Sequence, residues 1–374
     1  MDDEARIPAG LGSVSVRGPI RPRDDRRPAS RRRRGADGAW PAAATGPTYA
    51  ALDLGTNNCR LLVARPSGDG FRVVDAFSRI IRLGEGVSRT GRIGEPAIAR
   101  AIEALAVCRE KMELRAVTRA RLIATEACRA AENGEAFLQR IRDEVGLELE
   151  VVDRETEAHL AATGCSPLVD PQAEGAILFD IGGGSSEIVH LDRSAYTAFG
   201  PPRPEVRAWT SLPLGVVTLA ERYGGVHVDR ALFETMIVDV AALVARFAET
   251  VDAGASLARM HMLGTSGTVT TIAGVHLDLP RYDRRRVDGC WMRDLEVSAV
   301  IDRLLAMSYE ERVANPCIGA ERADLVLAGC AILEAIRRVF PCRRLRVADR
   351  GLREGILVQM MREDGVWAGQ GARA

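Results

Sequence analysis

The sequence predicts an α/β protein made of two similar domains that face each other. Short apolar runs and helical stretches alternate from residue 49 to 152 in the order β-β-β-α-β-α-β. The opening of that block then returns: an apolar run ending in Asp53 and followed by Gly55 recurs, 127 residues on, as a run ending in Asp180 and followed by Gly182. The composition is that of a globular chain, with 374 residues, 47% hydrophobic and 27% charged, enough for two or three domains and a sizeable core.

Residues 1–48 hold ten arginines against six acids, including Arg31 to Arg34 in a row, and show no apolar periodicity. They read as a disordered basic tail. At Tyr49 the texture changes. Tyr49–Leu52, Leu61–Ala64 and Phe71–Val74 read as a strand meander joined by Gly/Asp turns. A helix is expected from Pro96, which suits a first helical position, with Ile98, Ile102, Leu105 and Met112 at helical spacing. Arg121–Ala124 reads as a strand, Glu135–Val145 as a helix closed by Gly146, and the alternating Leu147–Val152 as a further strand. In the second half, Ala176–Phe179 and Glu187–Leu191 form the repeated hairpin. Leu232–Val251, Leu295–Met307 and Ala320–Phe340 read as helices. Arg344–Ala348 is a strand ending at Asp349, and a last helix begins near Leu352.

Charge and cysteine usage exclude several classes. Lys+Arg and Asp+Glu are both 51, so the net charge is zero, which argues against coating nucleic acid or an anionic membrane. No apolar run reaches the roughly 18 residues of a membrane span, and no secretory signal is expected. The eight cysteines are scattered, with no CxxC, as in a cytoplasmic protein with reduced thiols, and the histidines show no metal-binding spacing.

Three turns rich in Gly, Ser and Thr close strands: Gly55-Thr56-Asn57-Asn58, Gly182-Gly183-Gly184-Ser185, and Gly264-Thr265-Ser266-Gly267-Thr268. Each exposes several backbone N–H groups, the arrangement that wraps phosphate oxygens. None matches the P-loop or dinucleotide patterns. Two of them follow an aspartate, which beside a phosphate makes sense if a divalent cation lies between the like charges. Mg²⁺ or Mn²⁺ is therefore the expected cofactor, on Asp180 and Glu187 and on Asp53 of the first hairpin. Seven positions beyond each Asp stands a charged residue, Arg60 in one copy and Glu187 in the other, so one hairpin offers a phosphate-binding base and the other a metal-binding acid.

The stretches Ala51-Leu-Asp-Leu-Gly-Thr-Asn-Asn-Cys-Arg60, Phe179-Asp-Ile-Gly-Gly-Gly-Ser-Ser-Glu187, Leu263-Gly-Thr-Ser-Gly-Thr268 and Ala348-Asp-Arg-Gly-Leu-Arg-Glu-Gly355 resemble the exopolyphosphatase / guanosine pentaphosphate phosphohydrolase family, Ppx/GppA, over about residues 49–362. The resemblance implies two ribonuclease-H-like domains of the actin, sugar kinase and heat-shock-70 superfamily with a cleft between them, in the short two-domain form. It places domain I at 49–154 plus about 350–368 and domain II at 155–349. It implies metal-dependent removal of a terminal phosphate, with Glu157 of Asp153-Arg-Glu-Thr-Glu-Ala158 as general base and Glu155 facing elsewhere. Arg129, four residues after Thr125, is implied to fork onto phosphate with Gly55, Thr56, Asn57, Asn58, Arg60, Gly183, Gly184, Ser185, Thr265, Ser266, Gly267 and Thr268. The first turn departs from the family's Gly-Ser-Asn-Ser but keeps a hydroxyl and an amide. Arg350 stands where the family has none, and is either a phosphate contact or a surface residue. Arg281, Arg284, Arg285 and Arg286 form a basic cluster that either guides a polyanion or is simply solvated.

The expected activity is release of terminal orthophosphate from polyphosphate. Hydrolysis of guanosine pentaphosphate to the tetraphosphate is the alternative, and non-catalytic binding of either anion is a third reading. The expected partners are those substrates and a second copy in a homodimer, with no membrane and no nucleic acid.

Overall fold

Both aspartate-ended runs become central strands. The computed structural model describes residues 46–195, 200–251 and 257–368. The basic tail therefore lies outside the described residues except at its end. There Thr48 is already buried, its carbonyl accepting the Thr118 N–H at 2.8 Å and its own N–H donating to the Thr118 hydroxyl at 3.1 Å, so the fold starts one residue before the expected boundary.

β1 (Tyr49–Leu54) turns into antiparallel β2 (Asn58–Ser67), which turns into β3 (Gly70–Ile80). After α1 (Val87–Thr90) and α2 (Glu95–Leu114), β4 (Arg119–Ala124) returns parallel to β1. α3 (Glu126–Ala130) and α4 (Gly134–Val145) lead to β5 (Glu150–Val151), giving the order β3-β2-β1-β4-β5. The expected strand over 147–152 shrinks to two paired residues. Leu147 and Leu149 do point into the core, but only Glu150 and Val151 reach a partner strand.

α5 (Arg154–Cys165) carries the chain to the second sheet. There β6 (Gly175–Ile181), β7 (Ser186–Ala195) and β8 (Arg203–Leu212) repeat the meander, followed by α6 (Val216–Tyr223) and α7 (Arg230–Ala248). β9 (His261–Thr265) runs parallel to β6 and feeds α8 (Ser266–His276). α9 (Arg284–Val287), β10 (Trp291–Arg293), α10 (Asp294–Ala306), α11 (Tyr309–Ala314) and α12 (Val326–Val339) precede β11 (Arg344–Val347) and the last helix, α13 (Leu352–Glu363). The order β10-β11-β9-β6-β7-β8 is the first sheet's order with one strand added at an edge. The duplication read from two short motifs thus extends to both sheets. The helix expected over 320–340 starts only at Val326, because 320–325 forms turns.

Period-two alternation explains why both sheets bury both faces. Ala50, Leu52 and Leu54 pack toward α2 and α4, whereas Tyr49 and Ala51 pack toward Ile356, Leu357 and Met360 of α13. In the second sheet Ile177, Phe179 and Ile181 meet α7, α8 and α12, while Ala176 and Leu178 meet Ala158, Ala162 and Cys165 of α5. Residues 46 onward form one compact unit, with α5 and α13 packed together between the sheets. Among the described residues no helix is long and apolar enough to cross a membrane.

Candidate active site

The two hairpin turns are built alike. Gly55 N–H donates to the Asn58 carbonyl at 2.9 Å, and Gly182 N–H donates to the Ser185 carbonyl at 3.0 Å. The strand register then sets Arg60 directly opposite Asp53, and Glu187 directly opposite Asp180. Seven-residue spacing across a closed four-residue turn therefore puts each charged pair at the base of its own turn. The turns also touch. A methyl group on Gly183 would lie 2.9 Å from Thr56 Cβ, and one on Gly184 would lie 2.8 Å from Thr56 Oγ1. Only glycine allows this approach.

The third turn is the N-terminus of α8. Thr265 ends β9 opposite Asp180 in the parallel register, and Ser266 opens the helix at a left-handed φ of 77°. Its hydroxyl donates to Asp180 Oδ1 at 2.5 Å. Backbone strain at such a point is characteristic of functional sites. The free N–H groups of this first turn and the helix dipole favour an anion.

These three turns surround one cavity of about 600 Å³, lined by every residue named above for phosphate or metal except Arg129. Its walls carry eight carboxylates (Asp53, Glu126, Glu157, Asp180, Glu187, Glu321, Asp349 and Glu354) against four guanidiniums (Arg60, Arg322, Arg350 and Arg353). Burial raises the Asp53 and Asp180 carboxyls above their ordinary values; Asp180 also pushes Asp53 up, and the Ser266 bond partly offsets the rise at Asp180. Glu187 is pushed up to about 7, first by burial and then by Asp180, although Ser211 donates to it at 2.8 Å.

Glu157 sits on α5, which starts where Asp153 caps it by accepting the Thr156 N–H at 2.7 Å. Two residues on a helix are about 200° apart. Accordingly Glu155 is exposed, and Glu157 lines the cavity with its side chain 13% exposed. Burial raises the Glu157 carboxyl well above the usual range; Glu187, Asp53 and Asp180 add to this, and Arg129 opposes it.

Arg129 is placed differently from a phosphate fork. Its guanidinium meets Glu126 at 2.5 and 3.1 Å, the Val152 carbonyl at 2.6 Å and Glu157 at 3.3 Å, behind the cavity wall. Arg350 lines the cavity but is paired with Asp288. In the basic cluster, Arg281, Arg284, Arg285 and Arg286 are all exposed, and Arg284 also reaches Glu354 at 2.8 Å. Glu126, Arg322 and Arg353 were not anticipated as site residues. Arg353 does lie inside a stretch quoted for the family resemblance, and Glu126 lies between Thr125 and Arg129, but nothing local marks either as a cavity residue.

A divalent cation fits this donor set. Asp53, Asp180 and Glu187 have no basic side chain within ion-pair distance among the described residues, and their hard oxygens suit Mg²⁺ or Mn²⁺. The buried amide oxygens of Asn57 and Asn58 are also without hydrogen-bond partners. No three acidic, histidine or cysteine side chains converge as a ready-made cage among the described residues. The fit is therefore to a cation held by one or two carboxylates and completed by substrate oxygens and water.

A model of the Ppx/GppA phosphatase family matches residues 62–364. Exopolyphosphatase 2 of Mycobacterium tuberculosis is 29% identical over 328 residues, covering 83% of this chain and 98% of that protein. The guanosine-5'-triphosphate,3'-diphosphate pyrophosphatase of Aeromonas hydrophila is 26% identical over 317 residues, covering 84% of this chain and 60% of that protein. The crystal structure of the Aquifex aeolicus Ppx/GppA family member, 28% identical, superposes with a TM-score of 0.69 over 85% of this chain and 98% of that one. With the family model spanning residues 62–364, most of the sequence, the chain belongs to the Ppx/GppA phosphatase family.

Proposed function

We propose that this phosphatase is an exopolyphosphatase that releases terminal orthophosphate from inorganic polyphosphate with the help of Mg²⁺ or Mn²⁺. The observation that carries the reading is the convergence of three turns rich in Gly, Ser and Thr on one cavity that also holds Glu157 and three carboxylates without basic partners among the described residues.

The terminal phosphoryl group lies between the two hairpin turns and the α8 N-terminus. Their N–H groups and hydroxyls donate to its oxygens, and Arg60 adds a charge-assisted fork. Glu157 accepts the proton of a water aligned with the bond to be broken. Its raised affinity for a proton suits a base that works near neutral pH. A cation on Asp180 and Glu187, when bound, neutralises charge on the phosphoryl oxygens. Water attacks phosphorus, the bridging oxygen leaves with the shortened chain, and orthophosphate is released.

One observation favours guanosine pentaphosphate as a second reading. Tyr282, Ile318, Leu325 and Val326 line the same cavity, an aromatic and apolar wall that a bare phosphate chain does not use. Phosphate release from tripolyphosphate, long polyphosphate, guanosine pentaphosphate and ATP separates the cases. Preference for either polyphosphate supports the first reading, and preference for guanosine pentaphosphate supports the second. No release from any of the four refutes the activity.

A further inference from the structure

We propose that Glu126 is a positioning residue, which holds the Arg129 and Arg154 guanidiniums so that Arg129 braces Glu157 and neither arginine binds the anionic substrate. The inference rests on the reading of Glu157 as the base.

Glu126 lies in the cavity wall, where the facing turn comes closest: a methyl group on Gly184 would lie 3.1 Å from Glu126 Cγ. Yet its carboxylate faces two cations. Oε2 accepts from Arg129 Nη2 and Nε at 2.5 and 3.1 Å and from Arg154 Nε at 3.3 Å, and Oε1 accepts from Arg154 Nη2 at 2.9 Å. The Glu126 side chain is only 12% exposed. The remaining Arg129 donors go to the Val152 carbonyl at 2.6 Å and to Glu157 Oε2 at 3.3 Å. Arg129 is therefore a planar bridge, with Nε and Nη2 on Glu126, Nη1 on the Val152 carbonyl and Nη2 also reaching one oxygen of Glu157. A guanidinium suits this because its donors are rigidly spaced, which a lysine cannot match.

Without Glu126, two arginines beside a phosphate site would turn to the phosphates. They would bind the substrate's charge equally well before and during reaction, and Glu157 would lose its brace. Such a change lowers KM and kcat together, a pattern that general loosening of the site does not produce.

The test uses the full chain with Mg²⁺ and tripolyphosphate. Glu126→Gln is expected to lower kcat at least about tenfold while KM falls, since small misplacements at a reacting centre are costly. Glu126→Asp, which keeps the charge, should recover part of kcat. Unchanged kcat, a KM that rises, or no difference between the Gln and Asp variants overturns the inference. Arg129→Lys gives the same decision if Glu126→Gln does not fold. Loss of kcat with KM unchanged or lower supports the brace, whereas a rise in KM as large as the loss in kcat makes Arg129 a direct phosphate contact. Glu157→Gln separates the two layers. If it retains turnover, the base assignment fails and this inference with it; if it is inactive while Glu126→Gln behaves as wild type, only this inference fails.

Discussion

Replacing Gly183 by alanine tests whether the two hairpin turns really meet. The added methyl group would lie 2.9 Å from Thr56 Cβ and 3.2 Å from the Asn57 backbone nitrogen. Neither atom moves by side-chain rotation. Thr56 has no room behind it either, because a methyl group on Gly84 would lie 2.2 Å from Thr56 Cγ2. Carbon atoms rest about 3.5–4.0 Å apart, so one turn must retreat by roughly 0.6–1.1 Å. Overpacking of this kind costs about 1–3 kcal/mol, or roughly 2–12 °C in Tm at a sensitivity of about 2–4 °C per kcal/mol. The loss in rate should be larger in proportion, because a shift of about 1 Å can cost on the order of 100-fold. The assay is phosphate release from tripolyphosphate together with a thermal melt, with Gly70→Ala as control, since nothing lies within 4 Å of a methyl group there. A Gly183→Ala protein with the control's kcat and Tm would refute the contact and the shared site built on it.

Glu157→Gln should lower turnover by about 10²–10⁴ while tripolyphosphate still binds; calorimetry and phosphate release together decide this, and Glu155→Gln should be the milder change. Hydrolysis should stop in excess EDTA, and Asp180→Asn and Glu187→Gln should each raise the Mg²⁺ concentration needed for half-maximal rate; full activity in EDTA counts against the cation. The acid limb of kcat should lie above the ordinary glutamate value of 4.5, because the base works only when deprotonated and burial beside Glu187 raises its proton affinity; a limb at 4.5 in a pH profile would contradict this. Without metal, the Glu187 carboxyl with its raised value contributes stability below 4.5 that is lost as pH rises to about 7. The Mg²⁺-induced rise in Tm should therefore be larger above about pH 7 than near pH 4.5. Asp324→Asn should loosen the mouth of the cleft, because Arg82 after β3 clasps Asp324 at 2.8 and 2.9 Å; scattering should show a larger radius of gyration, and an unchanged radius with unchanged KM would mean the clasp is decorative.

What was legible in the sequence followed local rules. A strand that ends in Asp, a turn that must contain glycine, and a charged residue seven positions on are short-range features, and the register honours them in both hairpins. Alternation over 147–152 reported correctly which face each leucine takes, but pairing needs a neighbouring strand, and β4 meets only Glu150 and Val151. The helix expected from residue 320 failed for a comparable reason. Residues 320–325 stay in turns that present Arg322 to the cavity and Asp324 to Arg82, and composition does not encode that demand. Arg129 shows the limit most clearly. Its motif suggested a phosphate ligand, but its partners Val152 and Glu157 lie 23 and 28 residues away and are brought beside it by folding.

The duplication itself suggests why the copies diverged where they did. Two identical hairpins facing each other would place either two acids or two bases opposite their aspartates. With Arg60 in one copy and Glu187 in the other, a phosphate and a cation would each find an opposite charge, so under the proposed function a substrate–metal pair would be read by both sheets at once. Binding then favours whichever arrangement brings the turns together, by no more than its preference for that arrangement. The two chain crossings that would have to flex are not independent. A methyl group on Gly164 of α5 would lie 2.0 Å from the Gly351 carbonyl oxygen, and one on Gly355 of α13 would lie 1.9 Å from that of Leu160. Crossings at the expected boundaries, Arg154 and Asp349, would thus lead into helices in backbone-to-backbone contact. Any opening about them would be a rotation around one glycine-packed joint, whose helix α5 carries Glu157 and whose Arg350 carbonyl accepts the Thr265 hydroxyl of the third turn at 2.6 Å.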